Sequence, residues 1–392
     1  MKIFRSTNAL LAICALAHVC ATAQGQSFTA SVLYQLQPSN DSFLYYEAMA
    51  ADASSPQIVG NYANNGSPIH AFLWSSQGAI DLNPSSSSQS YSQAFGTNGV
   101  QQVGEAANPN TSNHLHATIW YGTPGSAVDL NPTNLSVVTS VAYGISHDGS
   151  QEVGDGAVTQ ANGIHALLWT NSASTAVDLN PTSLGITSSA ANATDGTQQV
   201  GMGATSGTNF ANDIVTALLW SNAAASAINL GPSNPEYMTS DALAVSGNQE
   251  VGYASLDGNA SQGFTHAMLW TGSAASAVDL NPSGYFVSDA LATNGTDQVG
   301  WGNPGTGPNA LIWSDTAASV INLQTLLPAA GTWNSSQAYA IDSAGDVFGI
   351  AFGTVDNTFS SYAVEWTPVP EPASLELFSV VGMSILARPR RR

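Results

Sequence analysis

The sequence predicts an all-β chain folded as a seven-bladed β-propeller closed by an N-terminal strand. Three observations carry that expectation. One tryptophan motif returns seven times, each return brings the same short alternating segments, and the two ends of the array complement each other.

The tryptophan motif reads His70-Ala-Phe-Leu-Trp74, then His116 to Trp120, His165 to Trp169, Thr216 to Trp220, His266 to Trp270, Asn309 to Trp313 and Tyr362 to Trp366. Successive tryptophans lie 46, 49, 51, 50, 43 and 53 residues apart, a period near fifty. Some ten residues after most of them comes a Val-Asp-Leu-Asn-Pro block: Ile80 to Pro84, Val128 to Pro132, Val177 to Pro181, Ile228 to Pro232 and Val278 to Pro282. Later in each unit a small-residue stretch such as Ser240 to Ser246 leads through a turn into Gln/Glu-Val-Gly, as at Gln102 to Gly104 and Glu250 to Gly252. Short alternating segments between Gly, Asn, Asp and Ser are strands joined by tight turns. Asp148-Gly149 and Asp195-Gly196 are hairpin signals. Each unit thus supplies four strands in the order small-residue, Val-Gly, Ala-x-x-Trp and Asp-Leu, the content of a propeller blade.

The ends sharpen this. Ser31 to Pro38 resembles an Asp-Leu strand without a Trp strand before it, and the last unit stops at Trp366-Thr-Pro with no Asp-Leu strand after it. The N-terminal strand can complete the last blade. An open β solenoid or a sandwich is the alternative, and an open array would leave two sheet edges needing protection.

Outside the repeats, Lys2 and Arg5 precede an apolar stretch from Ala9 to Cys20 and the small-x-small triplet Ala21-Thr22-Ala23. This pattern predicts a signal peptide over residues 1–23, cleaved after Ala23, and so an exported protein. Both cysteines, Cys14 and Cys20, fall inside it, leaving the propeller domain of residues 24–368 without disulfides or thiolate metal ligands. All six basic residues sit at the chain ends, against a net charge of −20. A body without Lys or Arg cannot neutralise phosphates, which excludes nucleic acid as a partner. Like charge also favours a monomer.

Candidate chemistry is sparse. The repeated histidines His70, His116, His165 and His266 recur one per blade, so a structural role is expected rather than a converging metal site. Asp81, Asp129, Asp178 and Asp279 fit turn stabilisation, since Asn229 and Asn322 replace them in two units; the alternative is a Ca²⁺-stabilised adhesin, although the acidic calcium-loop patterns are absent. No metal, no cofactor and no enzymatic activity are expected. If a ligand binds, the second-to-third-strand and blade-to-blade loops are the expected face, because they vary most in length. They carry Tyr237, Tyr285, Phe286, Trp301 and Trp333, aromatic faces suited to an uncharged polysaccharide. An enzyme acting on polysaccharide would instead need a carboxylate pair, such as two of Asp213, Glu236, Asp241 and Asp289.

The His-Ala-Phe-Leu-Trp core with its Val-Gly and Asp-Leu companions resembles the bacterial extracellular repeats of the HAF family. That likeness runs from about Ser31 to Trp366 and implies an extracellular repeat protein. Residues 369–392 resemble a PEP-CTERM sorting signal: Val369-Pro370-Glu371-Pro372, an apolar stretch expected as a short helix, then Arg388, Arg390, Arg391 and Arg392. The resemblance implies an exosortase-type enzyme that recognises Pro370, Glu371 and Pro372, with transient inner-membrane anchoring by the apolar segment. The four arginines would stay cytoplasmic and retain it there, in agreement with the positive-inside rule. It further implies the surface or extracellular matrix of a Gram-negative bacterium. The apolar segment departs from the family pattern, for Leu375 to Ala387 is thirteen residues and includes Glu376.

Overall fold

The computed structural model describes residues 26–36, 44–48, 51–52, 55–62, 68–84, 91–111, 114–159, 163–205, 214–256 and 264–369. The signal peptide and residues 370–392 lie outside these. Two compact units divide the chain, Ala30–Thr367 and the two ends Met1–Thr29 with Pro368–Arg392. Of the second, residues 26–29 and 368–369 are described, and there the Val369 amide donates to the Ser27 carbonyl at 2.7 Å.

The larger unit is the predicted propeller. Seven four-stranded sheets follow one another, with chain order equal to sheet order in six of them. Blade 1 uses Leu44–Ala48, Ile58–Tyr62, His70–Ser75 and Gly78–Asp81. Blade 2 uses Ser92–Thr97, Gln102–Asn108, His114–Trp120 and Val128–Asp129. Blade 3 uses Val137–Ile145, Glu152–Val158, Gly163–Trp169 and Val177–Asp178. Blade 4 is Ser188–Thr194, Gln199–Ala204, Val215–Trp220 and Ile228–Asn229. Blade 5 is Thr239–Ser246, Gln249–Ser255, Thr265–Trp270 and Val278–Asp279. Blade 6 is Val287–Thr293, Gln298–Asn303, Asn309–Trp313 and Ile321–Asn322. The seventh joins Gly331–Ile341, Val347–Val355 and Thr358–Pro368 to the N-terminal strand Phe28–Gln35, which is its outer strand. Closure therefore follows the expected route: Leu36 donates its amide to the Ser361 carbonyl and Gln35 bonds Ser360. The open solenoid and the sandwich are set aside.

The repeated residues each have a physical duty. Tryptophan fills the seam toward the preceding blade. Trp120 packs on Val59, Leu73 and Leu82 of blade 1, Trp169 on Val103, Ile119 and Leu130 of blade 2. Trp74 meets Leu36, Ile350 and Ala363 of the last blade, so the seventh seam resembles the other six. Burying 150–250 Å² per indole is worth roughly 4–6 kcal/mol of transfer free energy at about 25 cal/mol per Å². The glycine of Val-Gly is needed for close approach. A Cβ at Gly104, Gly154, Gly201, Gly252, Gly300 or Gly349 would stand 1.9–2.1 Å from a carbonyl oxygen of the first strand. Just beyond that contact the first strand of blades 2 to 7 carries a register shift, as between Ala242 and Ala244, which adds local twist.

Candidate functional site

The histidines and aspartates form a clasp, repeated with small changes. In four blades the histidine Nδ1 lies 2.7–2.9 Å from the aspartate Oδ2 of the outer strand: His70–Asp81, His116–Asp129, His165–Asp178 and His266–Asp279. The other aspartate oxygen accepts the amide two residues on, as Asp178 does from Asn180 at 2.8 Å. The Asn180 side chain then accepts from Ser189 of blade 4 at 2.7 Å, and the same serine oxygen receives the Ala166 amide of blade 3 at 3.0 Å. Blades 1, 2 and 5 bond their successors through Ser92, Ser140 and Ser288 in the same way. Thr216 with Asn229 replaces the acid–imidazole pair in blade 4, at 2.8 Å. Within the described residues these groups tie blade to blade.

The five aromatics singled out from the sequence do not gather. Tyr237 is half-buried and donates its hydroxyl to Asp279 at 2.6 Å. Tyr285 packs in the seam between blades 5 and 6 and accepts from Asn322 at 3.1 Å. Trp333 donates Nε1 to the Pro328 carbonyl and stands edge-on to Tyr362. Trp301 is half-buried on the second strand of blade 6, whereas Phe286 is open to solvent at 69%. Most of the second-to-third-strand loops on that face lie outside the described residues.

A concave site lies at the opposite end of the strands, where first strands turn into second strands. Turns from five consecutive blades surround a cavity of about 470 Å³ at the mouth of the central channel. His147 comes from blade 3, Asp195 from blade 4, Ser246 from blade 5, Asn294 from blade 6 and Asp342 with Ser343 from blade 7. Val245 and Ile341 supply apolar wall between them. Turn chemistry fixes these groups. Oδ1 of Asp195 accepts the Thr197 and Gln198 amides at 2.8 Å each, and Oδ1 of Asp342 accepts those of Ala344 and Asp346. Gly196 and Gly345 make the sharp reversals at φ +93° and +86°. Asn294 donates to the Asp342 carbonyl at 2.9 Å, locking neighbouring turns together. Sequence reasoning missed this site because its residues sit in the least variable loops. Their signal is the polar residue that recurs after each small-residue strand.

Among the carboxylates considered for catalysis, Glu236 is exposed and Asp213 is outside the described residues. Asp241 and Asp289 occupy equivalent positions on the first strands of blades 5 and 6, paired with Tyr253 and Trp301. Burial pushes Asp241 up to about 7, opposed by the hydrogen bond from Asn192 at 2.8 Å. Burial likewise raises Asp289, to about 6. Neither lines the mouth cavity.

No protein-family model matches the sequence, and no curated protein matches it. Solved structures do. The β-propeller domain of the Trilobed protease from Pyrococcus furiosus, described as having an open velcro topology, is similar at 9% identity and TM-score 0.52. That likeness covers 83% of this chain and 96% of that one. A puromycin hydrolase is similar at 10% identity and TM-score 0.51, covering 86% of this chain and 55% of the hydrolase. The chain is a β-propeller. It spans only about half of the hydrolase's length. At such identity the likeness is one of fold alone. It does correct the expectation of a chain without enzymatic activity, because propellers of this shape occur within a protease and a hydrolase. A sparse set of familiar catalytic motifs was no ground for excluding catalysis on this scaffold.

Proposed function

We propose that this chain is an exported propeller of the bacterial surface or extracellular matrix that binds a neutral polysaccharide at its channel mouth. The observation that carries the reading is the cavity itself, ringed by Asp195, Ser246, Asn294 and Asp342 in a propeller body without Lys or Arg. Carboxylate and amide oxygens accept from sugar hydroxyls, and Val245 and Ile341 suit the apolar C–H face of a pyranose. Anionic glycans would be repelled. Export rests on the segment ending at Ala21 and Ala23. Sorting rests on Pro370, Glu371 and Pro372, with transient retention by Arg388, Arg390, Arg391 and Arg392 and an exosortase-type enzyme as partner; all of these residues are outside the described part.

The test is a glycan-array screen of residues 24–368 beside the Asn294→Ala and Asp342→Ala variants. Binding to neutral glycans that both folded variants lose supports the reading, and binding that both retain sends the site elsewhere. Mass spectrometry of the protein recovered from cells tests sorting, which predicts ends near Gln24 and within the Pro-Glu-Pro region. A second reading, an enzyme acting on polysaccharide, is favoured by one observation: Asp241 and Asp289 are buried carboxyls raised into the range of acid–base work. Shortened glycan products, lost in Asp241→Asn and Asp289→Asn, would favour it over simple binding.

A further inference from the structure

At the mouth end of blades 2 to 6 the chain enters the second strand through two polar positions, and blade 1 through one. The first is Gln57, Gln101, Gln151, Gln198 and Gln249 in blades 1 to 5; the second is Gln102, Glu152, Gln199, Glu250 and Gln298 in blades 2 to 6. Where the second position is glutamine, one bond pattern recurs. Its Oε1 accepts a turn amide of its own blade, at 2.8 Å from Gly122, 2.7 Å from Asn222 and 2.8 Å from Asp315. Its Nε2 donates back across the seam to the preceding blade's first-position glutamine. Those bonds are Gln102 to Gln57 at 3.2 Å, Gln199 to Gln151 at 2.9 Å and Gln298 to Gln249 at 2.9 Å.

Glu152 and Glu250 interrupt the pattern by a single atom each. Oε2 takes the accepting role, from Asn171 at 2.8 Å and from Gly272 at 2.8 Å. Oε1 is then left at the donor's place, and in both residues it is buried without a partner. Both side chains are fully buried, at 0% exposure. By equivalence within the repeat, Gln101 corresponds to the partner of Glu152 and Gln198 to that of Glu250, as Gln151 is the partner of Gln199. Gln101 keeps the orientation of its equivalents: its Nε2 bonds Asn171 at 3.2 Å, as that of Gln151 bonds Asn222 and that of Gln249 bonds Asp315. Its oxygen accepts from Asn98 Nδ2 at 3.0 Å and keeps its second lone pair for the glutamate side. Oε1 of Gln198 is itself buried with no donor. A buried acceptor without a donor is costly; one hydrogen on Glu152 Oε1 removes that deficit, and one on Glu250 Oε1 serves Gln198 Oε1 as well.

We propose that Glu152 and Glu250 are neutral carboxylic acids in the folded propeller. Each donates through its Oε1 hydroxyl the bond that a glutamine amide donates in blades 2, 4 and 6. Two seams, between blades 2 and 3 and between blades 4 and 5, thus each close around a bound proton. The charges nearby oppose ionisation. Asp195 is the charged group bearing on Glu250, none bears on Glu152, and the propeller body offers no lysine or arginine. His147 is the one described histidine at this end of the blades, and it bonds to neither. Burial accordingly raises Glu152 to about 7 and Glu250 to about 6, with the Asn171 and Gly272 amides pulling the other way. The sign follows: the stabilisation is complete below the glutamate range of the unfolded chain and is lost as pH climbs through about 6 to 7. The propeller is built to hold tighter in acid than above neutrality.

The experiment compares the wild-type propeller with the Glu152→Gln/Glu250→Gln double variant in melting scans between pH 5 and pH 8. Glutamine already occupies this position in three blades, so the variant should fold. Expected are a similar Tm at pH 5, a higher Tm than wild type at pH 8, and a shallower fall between them. A double variant that is less stable at pH 8, or whose pH profile parallels wild type, overturns the proposal. In the wild-type protein, carbon NMR of the glutamate carboxyls should find two that still titrate near 6 to 7; ordinary values for all of them overturn it independently of the variants. A rise in wild-type Tm at pH 8 on adding calcium, absent in the double variant, would assign the oxygen cluster to a cation and also overturn it.

Discussion

The serine that joins neighbouring blades offers a controlled comparison inside one molecule. Ser189 is fully buried, receives the Ala166 amide at 3.0 Å and donates to Asn180 at 2.7 Å. Ser240 has the same place in blade 5 and receives the Ala217 amide at 2.9 Å, but Gly231 stands where the asparagine would be. Ser189→Ala thus leaves two buried polar groups unpaired, while Ser240→Ala leaves one. Each such group costs about 1–3 kcal/mol. Ser189→Ala should then cost about 2–6 kcal/mol and Ser240→Ala about 1–3 kcal/mol, a gap of at least about 1 kcal/mol. Urea unfolding with equal m-values measures the gap directly. Equal losses at the two serines, or a larger loss at Ser240, would refute the view that the asparagine bond holds the seam.

Three more outcomes follow from the same packing. Gly201→Ala brings a Cβ to 2.1 Å from the Ala190 carbonyl oxygen and should lower stability by about 1–3 kcal/mol, read from the urea midpoint. Asp241→Asn should stabilise the propeller at pH 8 and do little near pH 4. The carboxyl is raised by burial to about 7, so its protonated form is the one the fold favours and stability falls as pH rises toward that value; a thermal series over pH checks it. Removing residues 24–36 takes away the outer strand of blade 7 and exposes the edge at Ser360 and Ser361, so Tm should fall and association should appear in size-exclusion chromatography.

The architecture was legible because each repeated residue answers to a fixed physical demand. Trp169 must fill a seam, Gly154 must admit a carbonyl, and Asn180 must reach the next blade, so the pattern cannot drift without cost. The mouth was not legible for the complementary reason. Its groups, His147, Asp195, Asn294 and Asp342, each come from a different blade, 48 to 99 residues from the next, and meet only once the blades have assembled. Tyr237 and Tyr285 each pack against a blade seam. Both stand three residues before a clasp serine, where blade 4 has the buried Ile186, and alignment at that offset would have marked them as seam residues. The glutamates at 152 and 250 look like surface acids in sequence; only the bond pattern of their glutamine counterparts reveals what they replace.

Closure by the N-terminal strand makes the earliest part of the fold wait for the last. Gln35 finds its partner Ser360 across 325 residues. Such contacts form late, since the entropy of joining distant segments must be met before the contact returns anything. Six blades can assemble as they emerge, but the seventh has no outer strand until both ends of the domain are present. A chain truncated before Thr358 therefore has nowhere to dock its first strand and leaves a sheet edge unpaired.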